Sequence, residues 1–167
     1  VRAIALYYLQ RLDESAAETG LVLKEWPGEV SSWSHRGMVR YCSAIRLHAQ
    51  RQDARELLHG ALDDLDQALR RDATLDAVRC LHAESRRALG LAEAMAGEDP
   101  RASYRDAIAE CDASLAAAPG LLAARSVRGN AWTHLGRAEF ERGIDPTESL
   151  RRALTDLDEV IRTAPDR

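Results

Sequence analysis

The 167 residues include one phenylalanine, one lysine (Lys24), three cysteines and five prolines, and no apolar run of membrane-spanning length. Each shortage excludes something. Few aromatics and no runs of Val, Ile and Thr argue against a sheet, because pleated surfaces favour β-branched and aromatic side chains, while the abundant Ala, Leu and Arg favour helices. An all-α chain is expected. Cys42, Cys80 and Cys111 are odd in number and far apart, with no CxxC pair, so neither a disulfide framework nor a structural metal is expected, and a cytoplasmic, reducing compartment is. A membrane span needs roughly 20 consecutive apolar residues, so no membrane association is expected. The formal charge of −4, with acids and bases interleaved, creates no field for a polyanion, so nucleic acid is not an expected partner. That 22 of the 23 basic residues are arginine fits a GC-rich, bacterial codon usage. The start at Val1, without a methionine or a basic-then-apolar leader, leads to the expectation that the chain is part of a longer protein.

What is present is repetition. Shifting the sequence by 46 residues superposes 54–73, 100–119 and 146–165 without a gap. Apolar or small residues coincide at Leu58/Tyr104/Leu150, Ala61/Ala107/Ala153, Leu62/Ile108/Leu154, Leu65/Cys111/Leu157, Ala68/Ser114/Val160 and Leu69/Leu115/Ile161. Their spacing is one face of a 3.6-residue helix, with Arg, Asp and Glu opposite. A degenerate earlier unit contains Leu12, Ser15, Ala16, Thr19, Val22 and Leu23 and closes at Pro27, where later units have Ala73, Pro119 and Pro165. Asp53, Asp99 and Asp145 align as helix caps, two of them followed by Pro100 and Pro146, and Gly97 and Gly143 suit the left-handed end of the preceding helix.

Between these segments lie longer helical stretches at about 30–50, 76–96 and 121–142, carrying the aligned pairs Arg36-Gly37, His82-Ala83 and Arg128-Gly129. The small residue permits close helix approach. Each unit therefore reads as a first helix (A), a turn and an antiparallel second helix (B). Such a pair cannot bury its apolar face alone, so pairs must stack into an α-solenoid. The expected organisation is one repeat domain over 1–167: a partial repeat at 1–27, then repeats at about 28–73, 74–119 and 120–165. The opening VRAIALYYLQRL is expected to lack a partner helix, and both array ends to expose apolar surface, with Leu154 and Ile161 at the far end.

LLAARSVRGNAWTHLGR at 121–137 and ALTDLDEVIRTAP at 153–165 resemble the two helices of a tetratricopeptide repeat. Trp33, Gly37, Gly129, Trp132 and Gly136 fill helix A places. Ala107, Cys111, Ser114 and Pro119, or Ala153, Leu157, Val160 and Pro165, fill helix B places. The family repeat has 34 residues, so this one is about 12 longer, which is about a turn and a half per helix. The resemblance implies a right-handed superhelix whose concave face, lined by helix A, binds a protein or peptide. By position that face includes Ser34, Met38 and Tyr41, then Cys80, Glu84 and Arg87, then Ser126, Asn130 and Thr133. The family's clamp for a C-terminal carboxylate is incomplete here, and that specificity is not expected.

Where many family members have Leu before the Gly, this chain has Arg36, His82 and Arg128. Acids align in helix B as Asp64/Glu110/Asp156 and as Asp66/Asp112/Asp158. A half-buried Arg needs a partner, so a structural salt-bridge ladder within each repeat is expected. His82 and Cys80 point about 200° apart on a helix, and His35 with Cys42 is only two ligands, so no metal is expected. With no Gly-rich phosphate loop and no Ser/His/acid set in a strand-turn-helix context, neither cofactor nor catalysis is expected. The expected function is a non-catalytic scaffold or adaptor. The alternative is a structural or regulatory region of a larger bacterial protein, for example beside a Ser/Thr kinase domain, acting by self-association or interdomain contacts.

Overall fold

A computed structural model describes residues 1–163, and the expected closing Pro165 lies outside the described residues. Among the described residues are eight α-helices: α1 (Arg2–Tyr8), α2 (Leu12–Glu25), α3 (Val30–Ala49), α4 (Arg55–Arg71), α5 (Asp76–Met95), α6 (Arg101–Ala117), α7 (Leu122–Glu141) and α8 (Thr147–Thr163). From α3 onward every A helix has 20 residues and every B helix 17, each starting 46 residues after its predecessor of the same kind. The long repeat is carried by helices and not by loops.

The boundaries have local causes. Asp53, Asp99 and Asp145 each accept a hydrogen bond from the backbone N–H two residues on, at 3.0, 3.2 and 3.0 Å, satisfying a donor the first turn leaves open. Pro100 already belongs to that turn, since its carbonyl accepts from the Tyr104 N–H at 3.1 Å. At the far ends of α5 and α7, Gly97 (φ +78°) and Gly143 (φ +71°) take the left-handed conformation that stops the helix. Arg51, in the same register after α3, adopts φ +58° without being glycine.

The chain divides into two compact units, 1–85 and 86–167, the boundary falling within α5. In the first, α1 packs on α2, α2 on α3 and α3 on α4; in the second, α6 packs on α7 and α7 on α8. Each is a stack of consecutive antiparallel helices, which is α-solenoid construction. The first unit's core includes Leu12, Leu23, Val39, Leu58 and Leu65, and the second's is centred on Tyr104, Ala107, Ile108, Ala131, Leu135 and Ala138. Each large apolar side chain so buried contributes about 1.5–3 kcal/mol.

Close approach rests on the aligned small residues. A Cβ at Gly37 would lie 2.7 Å from Leu65 Cγ, and one at Gly129 would lie 2.9 Å from Leu157 Cγ, so α3–α4 and α7–α8 could not close over a larger residue.

The opening segment corrects one expectation. VRAIALYYLQRL does have a partner: α1 buries Leu6 and lies on α2, where the Ser15 hydroxyl donates to the Ala3 carbonyl at 2.7 Å. The turn at Gln10 (φ +59°) makes this possible, delaying α2 to Leu12. Val22, expected on the apolar face of α2, is exposed, whereas Ser15 and Thr19 are buried.

Candidate functional site

The aligned arginines of the A helices are held by carboxylates of the B helices. Arg36 grips Asp64 with two parallel bonds, Nε–Oδ2 at 2.9 Å and Nη2–Oδ1 at 2.6 Å, and Arg40 adds a third to the same carboxylate at 2.8 Å. Asp64 is 1 % exposed, so this desolvated charge is matched by three charge-assisted bonds. The second unit repeats the arrangement: Arg128 donates Nε and Nη2 to Asp156, both at 2.7 Å, and its Nη1 to Asp112 at 2.6 Å. The bonds to Asp156 chiefly, with those to Asp112, hold the guanidinium pKa above its ordinary value against the lowering effect of burial. In the middle repeat, His82 holds the arginine's place and Glu110 the acid's. Glu110 is bonded by Arg86, which stands one helical turn along α5.

The ladder expected within a repeat is present as Arg36–Asp64 and Arg128–Asp156, and what the structure corrects is the part assigned to the second acid row. The buried partner is Asp64 or Asp156, not Asp66, Asp112 or Asp158. Asp66 and Asp112 reach forward to the next A helix, Asp66 to His82 Nε2 at 3.2 Å and Asp112 to Arg128. Asp158, in the same register on α8, is exposed and has no cationic partner among the described residues. The reason is helical geometry: residues two apart face about 200° from each other, so the two acid rows cannot serve one arginine face alone.

The candidate partner-binding residues fall into two groups by unit. In the first unit Met38 and Tyr41 of α3 and Glu84 of α5 are half-buried, and the Tyr41 hydroxyl donates to Glu84 Oε1 at 3.1 Å. In the second unit Arg87 Nη1 donates to His134 Nε2 at 2.9 Å, so that nitrogen of the imidazole carries a lone pair and no proton. The His134 ring stacks on buried Tyr104 at 5.6 Å. Asn130 and Thr133 are exposed, and the Thr133 hydroxyl donates back to the Gly129 carbonyl at 2.9 Å. The bonds Tyr41–Glu84 and Arg87–His134 each join successive A helices, so these side chains are fixed rather than free rotors. Ser34 bonds the Val30 carbonyl.

Two recurrent devices escaped the sequence reading. Glu93 accepts from Ser103 at 2.9 Å and Glu139 from Ser149 at 2.7 Å, a polar pair linking the A and B helices of one hairpin. Their counterparts in the first full repeat are Leu47 and Leu57, an apolar pair. The second device closes each inter-repeat turn: Trp33 Nε1 donates to Pro27 O at 2.8 Å, Arg79 donates to Ala73 O, and Arg125 donates to Pro119 O at 2.9 Å. Trp and Arg share one alignment column there because each supplies a long-reaching N–H. Both devices are visible in the 46-residue alignment as matched columns, but only distances reveal the pairing.

The remaining reactive groups are built into packing. Cys111 is buried in the B-helix core, as expected, and burial together with Asp76 raises the Cys80 pKa, which disfavours its thiolate. His35 and Cys42 do share a face, where both meet Tyr7 of α1: the two rings are 5.9 Å apart and the Tyr7 hydroxyl is 3.7 Å from Cys42 Sγ. Burial lowers the His35 pKa. A cleft of about 180 Å³ lies among Asp112, Arg128, Trp132, Arg152, Thr155 and Asp156, and none of the candidate partner-binding residues lines it. Among the described residues no group of three or more His, Cys, Asp and Glu could hold a metal, and no helix is long and apolar enough to cross a membrane. Comparison with protein-family models and with curated proteins yields no match to this chain.

Proposed function

We propose that the chain is a divergent tetratricopeptide-like repeat module, non-catalytic, that binds a protein or peptide partner through the face lined by its A helices. The observation carrying this reading is the cross-helix bonding from the aligned residues Tyr41 and Arg87, to Glu84 in one unit and to His134 in the other. Side chains fixed before binding lose little entropy when a partner docks, and a mixed polar surface suits an extended peptide read through hydrogen bonds. Selection of a displayed random-peptide library against the chain, followed by calorimetry with the recovered peptide, tests it. Replacing Arg87 and Asn130 together by Ala should weaken that peptide at least about tenfold, the cost of roughly two lost hydrogen bonds. Unchanged affinity would remove this face from consideration.

A second reading has its own support. Ile4, Tyr8 and Leu9 on and after α1, and Leu150, Leu154 and Ile161 on α8, are exposed apolar side chains. On this reading the chain is a structural or regulatory region of a larger bacterial protein in the cytoplasm, working through contacts at those helices. A neighbouring Ser/Thr kinase domain is one such context.

A further inference from the structure

The exposed apolar residues of α8 occupy alignment positions that are covered elsewhere. Tyr104, Ile108 and Leu115 of α6 are 2, 5 and 8 % exposed, and α7 lies against that helix. Their counterparts Leu150, Leu154 and Ile161 on α8 are 40, 61 and 64 % exposed. On α6 the cover supplied by α7 consists of Ala131, Leu135 and Ala138, which share one cluster with Tyr104, Ala107 and Ile108, while Gly90 of α5 meets the Tyr104 ring. Three residues before Ala131 stands Arg128, bonded at 2.6 Å to Asp112 on the rim of the same contact. The equivalent acid of α4, Asp66, meets His82 of α5. Thus on α6 an apolar stripe with one acid is covered by a helix whose arginine meets that acid, and on α4 the equivalent acid meets the histidine that stands in the arginine's place. On α8 the stripe and the acid, Asp158, are both present and exposed.

We propose that this face of α8 is a docking site for an arginine-bearing helix of A type, with arginine at one position and Ala, Leu and Ala three, seven and ten residues later. The arginine pairs with Asp158, and the small residues let the helix approach Leu150 and Leu154 as α7 approaches Tyr104 and Ile108. Charge complementarity and the register of the α6–α7 interface select this occupant. The inference rests on the second reading above, that these helices make contacts, and names the chemistry of what they contact.

The test uses a synthetic peptide of residues 121–142, the α7 sequence, labelled with fluorescein and titrated with the full chain by anisotropy. Saturable binding is expected. Leu154→Asp should weaken it roughly tenfold or more, since a newly buried Leu side chain is lost. Asp158→Arg should weaken it about threefold, the scale of a rim ion pair, and a peptide carrying Arg128→Asp should recover that loss only with the Asp158→Arg protein. Both substituted residues are exposed, so circular-dichroism melting should be unchanged. No saturable binding, or binding indifferent to both substitutions, overturns the proposal. A homodimer in light scattering that Leu154→Asp disperses, without peptide binding, also overturns it while leaving the contact reading intact.

Discussion

Losing one member of the Arg128–Asp156 pair differs physically from losing Arg128–Asp112. Asp156 is almost fully buried, whereas the Asp112 side chain is 56 % exposed. Arg128→Met removes both short bonds to a desolvated carboxylate, leaving it only Arg125 at 3.6 Å, and should cost about 2–3 kcal/mol in urea unfolding, whereas Asp112→Ala should cost less than about 1 kcal/mol. Adding Asp156→Leu to Arg128→Met should recover most of the loss. Acid acts on another set of carboxylates. Hydrogen bonds from the Arg55 side chain and backbone hold Asp53 at about 2 against its ordinary 3.8, and Asp99 and Asp145 are lowered in the same way by Arg101 and Thr147. A folded pKa below the unfolded one gives stability that is present above the unfolded value and lost as pH falls through the folded one. The urea midpoint should therefore drop between about pH 4 and pH 2, and Asp53→Asn should flatten part of that drop.

A repeat is legible at the level of the element when capping residues recur at one period, as the three Asp caps do in every full repeat and the two glycines do in two of them. Asp53, Asp99, Asp145, Gly97 and Gly143 mark helix ends in the sequence itself, because capping is a backbone event within a few residues of the cap. Pairing between elements was less legible. The choice between Asp64 and Asp66 as the buried partner turns on which side of a B helix faces its own A helix, and the two acids are equally polar in sequence. The Glu139–Ser149 pair shows the same limit, and it supplies an element-level prediction. Glu139→Leu alone leaves Ser149 buried without its acceptor and should cost about 1–3 kcal/mol. Joined with Ser149→Leu it reproduces the Leu47–Leu57 combination of the first full repeat and should come within about 1 kcal/mol of the parent, read from chemical-denaturation midpoints.

At the scale of the whole molecule, stability in a repeat stack accumulates from neighbouring interfaces, so helices with one uncovered face hold least. α1 has seven residues and one buried side chain, and α8 exposes Leu154 and Ile161, whereas α6 buries both its inner and outer apolar positions. Hydrogen exchange should be fastest in α1 and α8 and slowest in α4, α6 and α7. Equal protection across all of them would show that the coverage of α1 and α8 is not what limits them. The sequence alone determined the all-helical class, the 46-residue register and the helix ends, because periodicity and capping depend on residues within a turn or two of one another. Tertiary structure alone decided that α1 has a partner, that Asp64 and Asp156 are the buried acids, and that Asp158 stands exposed beside an uncovered stripe. Those outcomes depend on which helix faces lie within about 3 Å of each other, a distance that only packing sets.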